Sequence, residues 1–143
     1  MNRFAIIVSR FNSEITEKLL AGSVAAFGAE GVPHDFLDVI YVPGAFELPL
    51  VAKKLAESGK YAAVVCLGAV IRGDTDHYDY VCQAATQGIL RAGLDTGVPV
   101  IFGVLTCDTD EQALARCGGA EGNKGAGAAR AAIEMAKTMK QIG

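Results

Sequence analysis

The apolar run from Ala62 to Ile71 gives way at once to Arg72-Gly73-Asp74-Thr75-Asp76-His77, which sets basic, acidic and imidazole groups within a few residues of one another. His77 is one of only 2 histidines in the chain. An imidazole suits general acid–base work because this residue type exchanges protons near neutral pH. Thr75 or Asp76 can cap a helix that starts here, placing His77 in its first turn. Gly73, Asp74 and Thr75 would then present backbone N–H groups at a helix N-terminus, where an anion can sit. Plainer readings stand beside these. His77 can be a surface residue near a helix start, and Asp74, Asp76 and Asp79 can serve only as caps and solvated charges. Neither the aspartates nor His77 fall at a recognised metal-ligand spacing, so no metal is expected.

Other segments that follow strands carry groups of the same kind. Arg10-Phe11-Asn12 follows the first apolar run, and Pro43-Gly44-Ala45-Phe46-Glu47 follows the second. The fourth run contains Phe102 and ends at Thr106-Cys107-Asp108. Phe11, Phe46 and Phe102 can each be core residues, although Arg10 and Asn12 place Phe11 in a loop. Glu47 can simply complement a helix dipole. Arg116 and Lys124 flank a glycine-rich break and can be solvated. His34, at the opposite edge, reads as structural.

These residues need a scaffold, and the periodicity supplies one. Phe4 to Val8, Asp35 to Val42, Ala62 to Ile71 and Val98 to Thr106 read as strands, most of them apolar on both faces as buried parallel strands are. Ile15, Leu19, Leu20, Val24 and Phe27 recur at helical spacing, with Asn12 or Ser13 as the expected cap and Gly31 and Pro33 as the stop. Leu48, Val51, Ala52 and Leu55 form a second stripe, with Pro49 in its first turn and Gly59 at its end. Tyr78, Val81, Cys82, Ala85 and Ile89 form a third. Thr109 and Gln112 make a capping-box pattern for a short helix. Cys117-Gly118-Gly119-Ala120-Glu121-Gly122 breaks the chain, and Asn123 caps a final alanine-rich helix. The order βαβαβαβαα predicts an α/β fold, a flavodoxin-like three-layer α/β/α sandwich around a four-stranded parallel sheet. Ligands in such sheets bind beyond the carboxyl ends of the strands, where the groups above converge.

Composition narrows the function. The 143 residues read as one domain, residues 1–143, large enough to bury a core. They are 51% hydrophobic and 20% charged, which excludes disorder, and the net charge of -3 argues against nucleic-acid binding. No apolar run approaches the ~20 residues of a membrane span, and the N-terminal apolar stretch is too short for a signal peptide. Cys66, Cys82, Cys107 and Cys117 lack C-x-x-C spacing and read as buried, reduced thiols. The chain reads as cytoplasmic.

Taken together, RFN, VPGAFELP, GAVIRGDTDHYDYV, GVPVIFGVLT and GNKG, in this order and spacing, closely resemble the lumazine synthase family over nearly the whole chain. The resemblance implies condensation of 5-amino-6-(D-ribitylamino)uracil with (2S)-2-hydroxy-3-oxobutyl phosphate. The products would be 6,7-dimethyl-8-ribityllumazine, water and phosphate, formed without a metal or organic cofactor. By the same resemblance Phe11 would stack on the pyrimidine, and Ala45, Phe46 and Glu47 would line the uracil and ribityl pocket. Ala69, Val70 and Ile71 would meet the ring through backbone groups. Gly73, Asp74 and Thr75 would hold the phosphate, and His77 would transfer protons. Phe102, Arg116 and Lys124 resemble groups supplied by the adjacent subunit.

The family forms pentamers. The short CGGAEGNKG connection lacks the insertion of purely pentameric members, which by resemblance permits a sixty-subunit icosahedral shell and association with riboflavin synthase. Many members carry about a strand's length of sequence ahead of this start, so the edge pairing made by that segment is not expected here. Other readings are an archaeal-type riboflavin synthase, a flavin- or lumazine-binding or shell-forming protein without activity, and an FMN carrier. For the last, Arg10-Phe11-Asn12-Ser13-Glu14 lacks the usual phosphate cradle.

Overall fold

A computed structural model describes residues 1–143. Six strands and five α-helices follow in the order β1 (Phe4–Ser9), α1 (Ser13–Ala29), β2 (Leu37–Val42), α2 (Leu48–Glu57), β3 (Ala63–Ile71), α3 (His77–Thr96), β4 (Val100–Cys107), α4 (Asp110–Ala115), β5 (Cys117–Gly119), β6 (Gly122–Asn123) and α5 (Lys124–Ile142). The first four strands form a parallel sheet in the order β2-β1-β3-β4, with helices on both faces, as the sequence predicts.

Burial follows position in the sheet. The two central strands are β1, buried at every residue, and β3, buried at all but Ile71. Successive residues point to opposite faces, so each central strand feeds two cores. Phe4, Ile6, Val8, Val65 and Leu67 pack with Ile15, Leu19 and Phe27 of α1 and the alanines of α5. Ala5, Ile7, Val64 and Cys66 pack with Leu48 and Ala52 of α2 and Ala85 and Ile89 of α3. The edge strand β2 alternates between covered and uncovered positions, as a half-solvated strand does.

Several local expectations change. Residues 34–36 form a short 3-10 turn, so β2 begins at Leu37 rather than Asp35. Asn12 stands at the start of α1 but its side chain makes no cap hydrogen bond, and Ser13 already lies inside the helix. Asn12 is left-handed (φ 62°, ψ 47°), which turns its side chain away from the helix. The glycine-rich break is also ordered: β5 and β6 pair antiparallel there as a small hairpin. Gly118 and Gly122, both at positive φ, make that geometry accessible. Asn123 caps α5 as predicted, accepting from the Ala126 amide at 3.1 Å. Cys66, Cys107 and Cys117 are free and buried, whereas the free Cys82 is only half-buried.

Candidate active site

The strand order reverses direction between β1 and β3. From β1 the chain leaves by α1 toward β2, and from β3 it leaves by α3 toward β4 on the other side. A crevice opens at such a switch point because neither departing segment covers it. Here it is a cavity of about 730 Å³ lined in part by Phe11, Ala45, Phe46, Glu47, Ala69, Val70, Ile71, Gly73, Thr75 and His77. That volume suits a small-molecule ligand.

Each wall has a local cause. The loop after β1 is held against the one after β2 by Arg10 N–H donating to the Val42 carbonyl at 2.8 Å and Phe11 N–H to the Pro43 carbonyl at 3.0 Å. Phe11 is left 71% exposed and Phe46 60% exposed, unusual for phenylalanine side chains. A 3-10 turn at Ala45–Glu47 follows β2, and the Gly44 amide donates to Glu47 Oε1 at 2.9 Å. That bond fixes the Glu47 carboxylate on the cavity wall. Ala45, Ala69 and Val70 are buried and form the apolar floor.

The opposite wall is the start of α3. His77 is its first residue, and its amide donates to Thr75 Oγ1 at 3.4 Å. Asp76 takes the cap position without a side-chain cap bond, so neither Thr75 nor Asp76 caps the helix as expected, and the Thr75 hydroxyl meets only the first helical amide. The amides of Gly73, Asp74 and Thr75 donate to no backbone carbonyl. They lie in the loop that leads into the helix N-terminus, next to the end where an anion is favoured. Arg72 braces this corner. Its Nε donates to Asp108 Oδ1 at 2.9 Å, its guanidinium lies 3.7 Å from Asp79 Oδ1, and it stacks 4.3 Å above the Tyr78 ring. The ends of β3 and β4 and the first turn of α3 are thereby tied together. The bond to Asp108 pushes the Arg72 pKa up, and burial does the same to the Tyr78 hydroxyl.

The acidic cluster thus separates into distinct tasks. Asp79 pairs with Arg72, while Asp74 and Asp76 are exposed and in no ion pair. No group of three or more His, Cys, Asp or Glu side chains converges in metal-binding geometry.

Four of the sequence candidates lie outside this cavity. Asp74 is exposed beside it. Phe102 is half-buried on β4, packed against the core beneath α2 and α3. Arg116 and Lys124 line a separate, more polar cavity with Thr106, Glu121 and Arg130. Arg116 is oriented there by its own helix, donating from Nη1 to the Gln112 carbonyl at 2.9 Å. Conversely, Pro43, Gly44, Tyr78 and Val81 line the main cavity although the sequence reading gave them no site role. The signal for Val81 was available, since it lies one helical turn beyond His77 on the same face.

An apolar cleft with exposed phenylalanines, a fixed carboxylate and unpaired amides beside a histidine can take small molecules that offer a flat face, hydrogen-bond donors and a negative charge. No helix is long and apolar enough to cross a membrane. Compared with known families, residues 1–140 match the family described as 6,7-dimethyl-8-ribityllumazine synthase. With nearly the whole chain covered and the cleft at the strand ends, this protein belongs to the lumazine synthase family and is an enzyme of riboflavin biosynthesis.

Proposed function

We propose that the cleft brings 5-amino-6-(D-ribitylamino)uracil and (2S)-2-hydroxy-3-oxobutyl phosphate together and that its residues divide the work by chemistry. Phe11 stacks on the pyrimidine, Phe46 covers the ribityl chain, and Glu47 accepts from its hydroxyls. Backbone groups of Ala69, Val70 and Ile71 read the ring edge. Gly73, Asp74 and Thr75 hold the phosphate through their amides. For Asp74 this role is confined to the backbone, because its carboxylate would repel the anion.

The reaction needs an amine to meet a carbonyl carbon, water and phosphate to leave, and a ring to close. Holding two substrates in one cleft can contribute ~7–11 kcal/mol of the barrier reduction. His77, on the cavity wall next to the phosphate seat, moves protons during dehydration and phosphate loss. The amides stabilise charge on the departing phosphate by hydrogen bonding. The observation carrying this reading is that exposed phenylalanines, a fixed carboxylate, the backbone-unpaired Gly73 and Thr75 and a histidine share one cavity.

The active unit on this reading is a pentamer working in the cytoplasm, with Phe102, Arg116 and Lys124 completing a neighbour's cleft. Two observations support it. Arg116 and Lys124 line a cavity apart from His77 in their own chain. Leu50, Tyr80, Leu90 and Leu94 on α2 and α3 are 60–71% exposed, and apolar surface of that kind favours association.

Mixing the two substrates with the protein and following phosphate release and lumazine absorbance tests the reading. Phe11→Ala is expected to raise KM for the pyrimidine about two- to tenfold, since aromatic pairing contributes ~0.5–1.5 kcal/mol beyond area burial. KM for the phosphate substrate should hardly move. Binding of the pyrimidine without phosphate release would favour a non-catalytic protein of the same fold.

A further inference from the structure

Asn12 is the only non-glycine residue at positive φ in the molecule. Asparagine tolerates that conformation better than most residues, yet it still needs support from its surroundings. The support is on both sides of the residue. Its carbonyl accepts from the amides of Ile15 at 2.9 Å and Thr16 at 3.1 Å, which starts α1. Its side chain turns the other way, and Nδ2 donates to the Ala69 carbonyl on β3 at 3.1 Å.

That bond spans the place where the sheet stops holding itself together. The last paired residues of β1 and β3 are Val8 and Leu67, and beyond them the two chains part to form the cavity. Arg10 and Phe11 remain bonded to the β2 side through Val42 and Pro43. Nothing in the backbone ladder ties them to β3. The Asn12 amide provides that tie, joining the loop that bears Phe11 to Ala69 on the cavity floor.

We infer that Asn12 is a positioning residue: it fixes the separation between the Phe11 platform and the β3 edge, and so sets the gap that receives the pyrimidine ring. This rests on the stacking role given above to Phe11. Asn12 does not line the cavity, so its effect on substrate passes through Phe11 and Ala69.

Two replacements separate the side-chain bond from the backbone turn. Asn12→Asp tolerates the left-handed conformation but loses the donor, and Asn12→Gly accepts the conformation freely and loses the side chain. In the intact enzyme both are expected to raise KM for the pyrimidine substrate about two- to tenfold, the scale of one lost hydrogen bond, and by no more than Phe11→Ala does. KM for the phosphate substrate should stay within about twofold, and the Phe11→Ala/Asn12→Asp double variant should be scarcely weaker than Phe11→Ala alone. Thermal melts run alongside identify loss of folded protein, which lowers kcat per chain without moving KM; if Asn12→Asp does not fold, Asn12→Gly carries the test. Unchanged pyrimidine KM in folded Asn12 variants, or effects that add fully to those of Phe11→Ala, would overturn the positioning role. An unchanged KM in Phe11→Ala itself would instead remove the stacking role, and the inference with it.

Discussion

His77 begins α3 on the cavity wall, with its amide on Thr75 and its imidazole exposed toward the cleft. If that imidazole moves protons while the cleft does most of the work by positioning, His77→Ala should slow turnover at or below the ~10²–10⁴-fold range of a general acid–base group. KM for the pyrimidine should change little, because the ring is held elsewhere. Steady-state rates across pH check this, and a variant with wild-type turnover throughout would take His77 out of the mechanism. The residue types drew attention to this segment in the sequence. Their division of labour did not show, because only the folded corner reveals that Arg72 has taken Asp79 and Asp108.

At the scale of elements, two contacts set tight limits. The helices α1 and α5 cross so closely that a Cβ on Gly125 would run into the Leu19 backbone. Gly125→Ala is therefore expected to destabilise by at least ~1–3 kcal/mol, the usual cost of overpacking. Gly28→Ala on the exposed face of α1, where a Cβ meets nothing within 4 Å, should be neutral or stabilising by up to ~1 kcal/mol. Denaturant melts of the two variants compare them directly, and equal midpoints would contradict the crossing. The second contact is chemical. Burial of Cys66 in β3 pushes its thiol up to about 12 from an ordinary 9.0. A raised folded pKa gives stability that is complete below the unfolded value and lost as pH climbs toward the folded one. Between pH ~9 and ~12 this thiol should lower stability by about 1.4 kcal/mol per pH unit. Cys66→Ala should flatten that alkaline slope by one proton's worth; an unaltered slope would mean that Cys66 ionises alike in both states.

For the whole molecule, the cavity with His77 and the cavity with Arg116 and Lys124 are separate in one chain. A ring of identical subunits with head-to-tail contacts can bring one against the other. Arg116→Ala should then raise KM for the phosphate substrate about ten- to a hundredfold, since hydrogen bonds to charged groups contribute ~1.5–3 kcal/mol. His77→Ala and Arg116→Ala chains refolded together in equal amounts should rebuild complete sites at about a quarter of positions. Turnover of the mixture well above the sum of its parents supports shared sites. No recovery in pentamers verified as mixed would return Arg116 to its own chain's site or remove it from catalysis.

The sequence by itself determined the alternation of strand and helix, the four parallel strands and the chemistry gathered after them, because those signals are carried by near neighbours in the chain. A period of two or of 3.6 residues is local, and so are Pro49 in a first turn and Asn123 at a cap. It did not determine the turn of Asn12 away from its own helix or the pairing of Arg72 with Asp108. Each of these depends on groups distant along the chain. Asn12 meets Ala69 only because β1 and β3 are adjacent, with 57 residues between the partners. Strand order decided those meetings, and it is set by how two apolar faces are buried at once, which no short window of residues encodes.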